Sequence, residues 1–158
     1  MANLFVGIDP GCSGALVAIH SDGTYVNHVN MPTLKQGSSN RVNGAAIVAW
    51  LMEFGPYIEH AYLELVHSMP GQGTSSTFNF GHSAGVVEGI LQGCHIPYTL
   101  ITPQSWKKSA GLIGSDKDAA RSRAIQLYPS LRALDLKAKG QAISDALLIA
   151  RHGLGVKS

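Results

Sequence analysis

Three acidic residues stand at the edges of apolar segments, although they are far apart along the chain. Asp9 ends an apolar run that begins at residue 4, Glu64 ends a shorter run over 61–63, and Asp145 opens the apolar stretch 146–150. Burying a carboxylate without a cation or hydrogen-bond donors costs several kcal/mol. These positions therefore predict that the three carboxylates converge on one cation site.

The chemistry of such a site is that of divalent metal ions and phosphate. Mg²⁺ is usually held by one or two carboxylates together with substrate phosphates. Two ions about 3.5–4 Å apart can activate a water and stabilise the leaving oxygen of a phosphodiester. If the first and fourth strands are neighbours, Asp9 and Glu64 share one sheet edge. Asp145 is predicted to lie in the first turn of its helix, where the helix dipole would orient it.

A structural reading of the same acids stays open at this point. Asp145 could serve with Ser144 as an ordinary acid at a helix N-terminus, and Glu64 could pair with a base.

Hydrophobic periodicity and turn residues predict the elements that position these acids. The predicted strands are 3–9, 14–20, 24–31, 60–65 and 96–101. The predicted helices are 44–54 with Asn43 as N-cap, 77–93, 103–109, 115–127 with Ser115 as N-cap, and 143–152. Residues 32–43 are predicted to be a polar loop, and 67–76 a substrate loop. The pattern is that of an α/β fold with a five-stranded mixed sheet flanked by helices, in a single domain over 1–158.

Composition sets the context of this domain. The 158 residues are 45% hydrophobic and 14% charged, which is typical of a globular protein. No apolar segment approaches the roughly 20 residues of a membrane span, and the start lacks the pattern of a secretion signal. The two cysteines, Cys12 and Cys94, have no metal-ligand spacing and fit a reducing compartment. We therefore expect a cytoplasmic protein that does not enter the membrane.

The positive charge lies almost entirely in the last third of the chain. Residues 1–100 contain two Lys or Arg residues and six acids, whereas residues 101–158 contain ten Lys or Arg residues and four acids. A basic segment beside carboxylates that bind cations suits an enzyme that grips a polyanion next to a metal. Plain solvation of surface bases is the alternative.

With these residues in place, the chain resembles the RuvC family of Holliday junction resolvases, within the RNase H-like superfamily, in a phage or prophage form. The segments that carry the resemblance, in order, are 8–11, 63–64 with the loop after it, 81–87, 104–108, 114–117 and 144–150. The likeness runs through nearly the whole chain. Its strength lies in the ordered set rather than in any one motif.

The resemblance implies a homodimer that binds four-way DNA junctions and makes paired nicks with Mg²⁺, for which Mn²⁺ can substitute. It implies that Asp9, Glu64 and Asp145 hold the metals and that Lys107 lies near the scissile phosphate. It further implies phosphate contacts by a set of basic residues, namely Lys107, Lys108, Lys117, Arg121 and Arg123, and a dimer contact through helix 77–93. Two alternatives remain: a related nuclease that acts on RNA or other forked nucleic acid, and a junction-binding module with little activity.

The chain departs from the family at one position of the metal site. The family usually has a fourth ligand, an acid or histidine, about one helical turn before the last aspartate, where this chain has Gln141 and Ala142. Three readings stay open: three carboxylates suffice, the chain is a weakened or engineered form, or another group substitutes, for which His152 and Asp135 are the candidates.

The substrate loop offers a residue that could wedge against a base. His67 and Met69 are the candidates for this role, by the stacking logic of unpaired bases. Phe78 and Phe80 are predicted to lie in the core instead.

Overall fold

The computed structural model describes residues 2–158 and is built around one five-stranded sheet. Its strands are β1 (Leu4–Asp9), β2 (Ala15–His20), β3 (Tyr25–Asn30), β6 (Ile58–Glu64) and β7 (Tyr98–Ile101). A separate two-stranded hairpin consists of β4 (Thr33–Gln36) and β5 (Ser39–Val42). The sheet order is β3-β2-β1-β6-β7, with antiparallel pairing from β1 to β3 and parallel pairing from β1 through β6 to β7. The predicted mixed sheet is confirmed.

Helices cover both faces of this sheet. They are α1 (Gly44–Met52), α2 (Thr74–Gly93), α3 (Pro103–Ser109), α4 (Ala119–Leu127) and α5 (Lys137–Leu154), with short 3₁₀ turns at Gly55–Tyr57 and Arg132–Asp135. On one face, Val6 and Ile8 of β1 share a core with Val87 and Leu91 of α2. On the other face, α4 and α5 pack over β1 and β2. Asn43 caps α1 as predicted, since its side chain accepts a hydrogen bond from the Ala46 N–H.

Three predicted elements differ from the structure. Residues 33–42 form the β4–β5 hairpin rather than a loop, and they lacked a strand signal because β4 is exposed on both of its faces. Helix α4 begins at Ala119, so Ser115 lies in the turn before it and is not the N-cap. Helix α5 begins at Lys137, six residues before the predicted start.

Gly140 is the reason why the first turn of α5 was not predicted. A Cβ on Gly140 would lie 2.5 Å from the Leu134 carbonyl oxygen, so the close packing of this turn requires glycine. Glycine disfavours helices, so its presence in the sequence argued against a helix here. No helix within residues 2–158 combines the length and the apolar character needed to cross a bilayer.

Candidate active site

Asp9 and Glu64 end two neighbouring parallel strands. Ile8 of β1 is paired with Leu63 of β6, so the two acids that follow them lie at the same sheet edge. Adjacent strands are about 4.8 Å apart, which brings the two carboxylates close together. This is the arrangement that the sequence predicted on condition that the strands are neighbours.

Helix α5 crosses the sheet over β1 and contacts both neighbours of that strand, β2 and β6. A Cβ on Gly7 would come within 2.1 Å of the Ala146 carbonyl oxygen, and a Cβ on Gly153 would lie 2.2 Å from the Tyr62 ring. Because side chains alternate along a strand, Asp9 faces the same side as Gly7. Asp145 precedes Ala146, so it approaches Asp9 from above the sheet.

The position of Asp145 within its helix was predicted wrongly. It is the ninth residue of α5 rather than a member of the first turn, so no helix terminus orients it. The alternative reading of an acid at a helix N-terminus beside Ser144 fails for the same reason. Asp145 is held instead by Gln141 one turn earlier, whose Nε2 donates a 3.0 Å hydrogen bond to Asp145 Oδ1.

The three carboxylates are protonated more readily than ordinary acids. Burial, with smaller contributions from the negative charges of Glu64 and Asp145, raises the pKa of Asp9 to about 7. Burial also raises the pKa of Asp145 to about 7, with Glu64 adding to the rise, while the Gln141 hydrogen bond and Lys107 oppose it. These shifts identify half-buried, mutually repelling acids that a cation would stabilise as carboxylates.

Two residues of α3, Trp106 and Lys107, counteract the rise in the pKa of Glu64 that burial causes. Burial raises the pKa of Glu64, whereas the hydrogen bond from Trp106 and the charge of Lys107 lower it. The Trp106 indole is 2% exposed and donates from Nε1 to Glu64 Oε2 at 2.6 Å. The Lys107 ammonium lies 5.6 Å from the centre of the Trp106 ring. Helix α3 therefore brings a neutral donor and a cation to the acid cluster, and the predicted role of Lys107 has a matching location.

Gln141 carries an unsatisfied oxygen at this site. Its Oε1 atom is buried and has no hydrogen-bond partner within residues 2–158, although its Nε2 atom is bonded to Asp145. Buried polar atoms are nearly always satisfied in folded proteins, so an exception calls for an explanation. Gln141 occupies the region where the resembling family has its fourth ligand, and its carbonyl oxygen is a ligand type that hard cations accept.

The acids do not form a closed cage as they stand. Within the part of the chain that the structure describes, no three His, Cys, Asp or Glu side chains are close enough together to hold an ion by themselves. The mutual pKa effects of Asp9, Glu64 and Asp145 nevertheless place them in one charge cluster. Waters and substrate phosphates would have to complete the coordination of a Mg²⁺ ion held here.

Two cavities meet at Asp145 and Lys107. The first, of about 350 Å³, is lined by Trp106, Gln141 and the turn that contains Ser115, Asp116 and Lys117. The second, of about 320 Å³, extends from Glu64 along Met69 and Phe80. One side of the acid cluster therefore opens onto a cavity whose lining includes two lysines and two aspartates, and the other opens onto a more apolar groove.

The predicted basic residues are divided by their surroundings. Lys107 and Lys117 line the first cavity, whereas Lys108 is exposed on α3 and lines neither of the two. Arg121 donates to the Leu134 carbonyl oxygen at 3.3 Å, and Arg123 donates to Gln126 Oε1 at 3.3 Å. Both arginines of α4 thus have acceptors in their own chain, while the lysines are free to meet a phosphate.

The two candidate substitutes for the fourth ligand are engaged elsewhere. His152 Nδ1 is hydrogen-bonded to Ser109 Oγ at 2.5 Å, at the end of α3 away from the cavities. Asp135 forms a 2.8 Å ion pair with Arg132 in a 3₁₀ turn. Neither lines the cavities that contain Asp145.

The phenylalanines at the start of α2 were predicted wrongly as core residues. Phe78 is 65% exposed and Phe80 is 36% exposed, because the first two turns of α2 extend beyond the sheet. Phe80 lines the apolar groove together with His67 and Met69, and Met69 is 58% exposed. All three are available to contact a base.

Sequence reasoning did not single out Trp106 and Gln141 as members of the site. A signal for Trp106 was present, since an indole one residue before a candidate catalytic lysine can donate a hydrogen bond to a buried acid. In the sequence, Gln141 was noted only as the position where the family usually has an acid or histidine. Its contact with Asp145 depends on α5 extending one and a half turns further back than predicted.

Comparison with known proteins bears directly on this fold. No protein-family model matches the chain. The chloroplastic Holliday junction resolvase MOC1 of Chlamydomonas reinhardtii is 30% identical over 126 residues, which is 77% of this chain but 14% of that protein. The chain thus spans about a seventh of the length of the curated relative that it matches.

Among solved structures, two RuvC structures from Thermus thermophilus have the same fold. One, in complex with a Holliday junction substrate, has a TM-score of 0.56 at 16% identity and covers 94% of this chain and 91% of its own. The other has a TM-score of 0.60 at 15% identity and covers 97% of both chains. The expected RNase H-like fold is therefore confirmed, and the neighbours are the RuvC resolvases that the sequence resembles.

Proposed function

We propose that this protein is a structure-selective DNA endonuclease that resolves four-way or branched DNA junctions by paired, metal-dependent hydrolysis of phosphodiester bonds. The observation that carries the proposal is the proximity of Asp9, Glu64 and Asp145, three half-buried acids with raised pKa values, to one another and to Lys107. The RuvC fold and the relative named as a Holliday junction resolvase support the same reaction.

The residues present fit a divalent metal, and we propose Mg²⁺, with Mn²⁺ as a substitute. Asp9, Glu64 and Asp145 would hold it, with Gln141 Oε1 as a further oxygen, and the orphaned state of that atom supports this assignment. When bound, the metal supplies the Lewis acid that activates water and neutralises charge on the leaving oxygen. Trp106 keeps Glu64 oriented toward the cluster.

Lys107 and Lys117 would bind the substrate phosphates. Both line the cavity that contains Asp145, so a phosphodiester in this cavity lies between cations on one side and acids on the other. Lys107, nearest to the acids by its effect on the pKa values of Glu64 and Asp145, would offset the charge that develops in the transition state. Lys108, Arg121 and Arg123 would contribute to binding the DNA backbone, the two arginines only after leaving their present acceptors.

We further propose a homodimer through α2. Four glycines repeat at every fourth position of its exposed face: Gly81, Gly85, Gly89 and Gly93. The space beside each of them is open, so a second helix could approach the backbone closely. A two-fold contact repeats the same patch on both subunits and would place two active sites symmetrically, as paired nicks require.

We also propose that the five-stranded sheet and its helices form a single domain. The protein is proposed to be located in the cytoplasm of a bacterial or phage-infected cell. The two cysteines, Cys12 and Cys94, are both free thiols in the structure, which suits a reducing compartment.

Incubation of the protein with a synthetic four-way junction and Mg²⁺ tests the proposal. We expect paired nicks in opposite strands, and no cutting by an Asp9→Asn variant that still binds the junction. Forked DNA, duplex DNA and an RNA–DNA hybrid complete the substrate panel. Faster cutting of the hybrid or of a simple fork would assign another substrate, and binding without cutting by the wild type would indicate a junction-binding module.

A further inference from the structure

The β4–β5 hairpin is an exposed basic arm that the proposed mechanism does not use. All four residues of β4 are exposed, whereas β5 packs against α2 and its Val42 is buried in the core. Residues 33–42 contain no acid and hold Lys35 and Arg41, the two Lys or Arg residues found in the first 100 positions. The exposed surface of this basic hairpin is available to an anionic partner.

The hairpin emerges at the same sheet edge as the acid cluster. Asn30, at the end of β3, is paired with Ala15, which is paired with Asp9. The Asn40 carbonyl oxygen of β5 accepts a 3.7 Å hydrogen bond from Cys12 Sγ, in the turn that directly follows β1. Three residues of chain span at most roughly 11 Å, so Cys12 lies within this distance of Asp9, and its hydrogen bond joins β5 to the turn that follows the acid.

Arg41 forms no ion pair with an acid in the part of the chain that the structure describes. Its guanidinium carbon lies 5.9 Å from the centre of the Phe78 ring, so the exposed aromatic side chain of α2 supports it. Its Nε and Nη1 atoms are buried and have no acceptor within residues 2–158. A guanidinium that has lost part of its hydration and gained no acceptor binds an anion strongly through its remaining Nη2 group.

We propose that Arg41, supported by Phe78, binds a DNA backbone phosphate on the β3 side of the acid cluster, whereas Lys107 follows β7 at the other side of the sheet. The inference rests on the proposed junction nuclease function and names a second phosphate contact for it. A branched substrate would then be held on both sides of the nick, by Lys107 and Lys117 from one direction and by the hairpin from the other.

DNA is favoured over a protein partner by charge. Around Arg41, neither the hairpin nor the first two turns of α2 contains an acid, so a second copy of this surface offers it no carboxylate. DNA, in contrast, carries a phosphate at every nucleotide and so offers Arg41 an anion.

The test measures binding of a four-way junction at several salt concentrations, in the presence of EDTA so that no cutting occurs. Loss of one phosphate contact reduces the slope of log affinity against log salt by about 0.9. We expect Arg41→Gln to show this reduction for each occupied hairpin and to weaken binding about tenfold at moderate salt. Lys157→Gln makes the same change of charge at the end of the chain, beyond α5, and is expected to retain the wild-type slope.

Lys35 provides the matched control within the hairpin. The register places it opposite Asn40, whereas Arg41 is opposite Leu34, so the two cations lie on different faces of the hairpin. Lys35→Gln is expected to weaken binding less than Arg41→Gln. If Lys35→Gln weakens junction binding as much as Arg41→Gln or more, the hairpin acts through general electrostatic attraction rather than through a specific contact, and the assignment to Arg41 is overturned.

A neutral methylphosphonate placed at single positions of the junction locates the contact. At one phosphate away from the nick, we expect this substitution to weaken binding by the wild type but not by Arg41→Gln. A wild-type affinity and slope in Arg41→Gln would overturn the inference, and a lost dimer with an unchanged slope would assign Arg41 to the partner subunit instead. If the wild type fails to cut the junction, the proposed function fails separately from this inference.

Discussion

Trp106 and Glu64, 42 residues apart in the chain, are joined by a 2.6 Å hydrogen bond from the indole Nε1 to Oε2. The bond links the end of β6 to α3 and gives a buried acid its only neutral donor among the causes that lower its pKa. A hydrogen bond to a charged group contributes about 1.5–3 kcal/mol. Trp106 therefore acts as a positioning residue for a carboxylate that is proposed to bind metal.

Trp106→Phe is expected to reduce metal affinity and the cutting rate about tenfold each, because Glu64 loses the donor that favours its charged form. Titration calorimetry with Mn²⁺ and cleavage rates against Mg²⁺ concentration measure the two effects. Trp50→Phe is the matched control, since the buried Trp50 Nε1 has no acceptor within residues 2–158. Equal metal affinity in Trp106→Phe and the wild type would contradict the positioning role.

The acid cluster should make the metal-free protein less stable at higher pH. Asp9 and Asp145 have pKa values raised to about 7 in the folded state. The stability that their protonated forms contribute is fully present below the unfolded pKa, near 4, and is lost as the pH rises through about 7. In EDTA, the wild-type Tm is expected to fall between pH 5 and pH 8.

Asp9→Asn should remove part of this dependence. At pH 8 in EDTA, we expect the variant to melt on the order of 5 °C above the wild type, and the difference to shrink at pH 5. Calorimetric scans at both pH values measure it. Glu53→Gln, a change at an exposed acid, should leave the wild-type profile unchanged. A variant that melts below the wild type at pH 8 would show that Asp9 is stabilised as a carboxylate without metal.

Gln141 allows the fourth ligand position to be altered in both directions. Gln141→Glu is expected to lower the Mg²⁺ concentration for half-maximal cutting, because a charged oxygen replaces a neutral one. Gln141→Leu should raise that concentration and weaken Mn²⁺ binding in calorimetry. If both variants bind metal as the wild type does, the unsatisfied Oε1 atom has no part in coordination.

Substitution of Lys107 and of its neighbour Lys108 should affect different steps, the cutting reaction and the binding of DNA, respectively. Lys107→Met is expected to lower kcat about 100-fold or more, since it removes a cation beside the reacting phosphate. Lys108→Met should affect the apparent affinity and its salt dependence while kcat is retained. Single-turnover rates at saturating enzyme distinguish the two. An unchanged kcat in Lys107→Met would remove Lys107 from the proposed mechanism.

The dimer proposal predicts the effect of filling the glycine face of α2. Gly85→Leu should yield a monomer by sedimentation, with a Tm at least equal to that of the wild type, because leucine favours the helix and its side chain meets open space. Ser122→Leu places the same side chain on the exposed surface of α4 and should leave the mass unchanged. A dimeric Gly85→Leu would direct the search to another surface.

The five strands of the sheet and most of the helices could be predicted from the sequence because their signals are local. Asp9 and Glu64 could be placed together because each ends an apolar strand, and carboxyl ends of parallel strands share an edge. The hairpin at 33–42 and the first turns of α5 were missed for the opposite reason. Their conformation depends on contacts with distant residues, such as the carbonyl of Leu134 that requires Gly140.

The exposure of Phe78 shows the same limit. Its spacing from Val87 and Leu91 does not reveal that α2 runs past the sheet, so an aromatic residue expected in the core stands beside Arg41 in solvent. Periodicity reports which face of a helix is apolar but not where along its length the core ends.

The amino-acid sequence by itself determined the fold class and predicted the three acids, because strand ends and apolar runs are written locally in the chain, whereas the role of Lys107 was predicted from the family resemblance. The tertiary structure decided how the acids are held: Trp106 on Glu64, Gln141 on Asp145, and α5 pressed onto Gly7. These contacts join residues that only the packing of helices on the sheet brings together, and packing depends on the shape of the whole core.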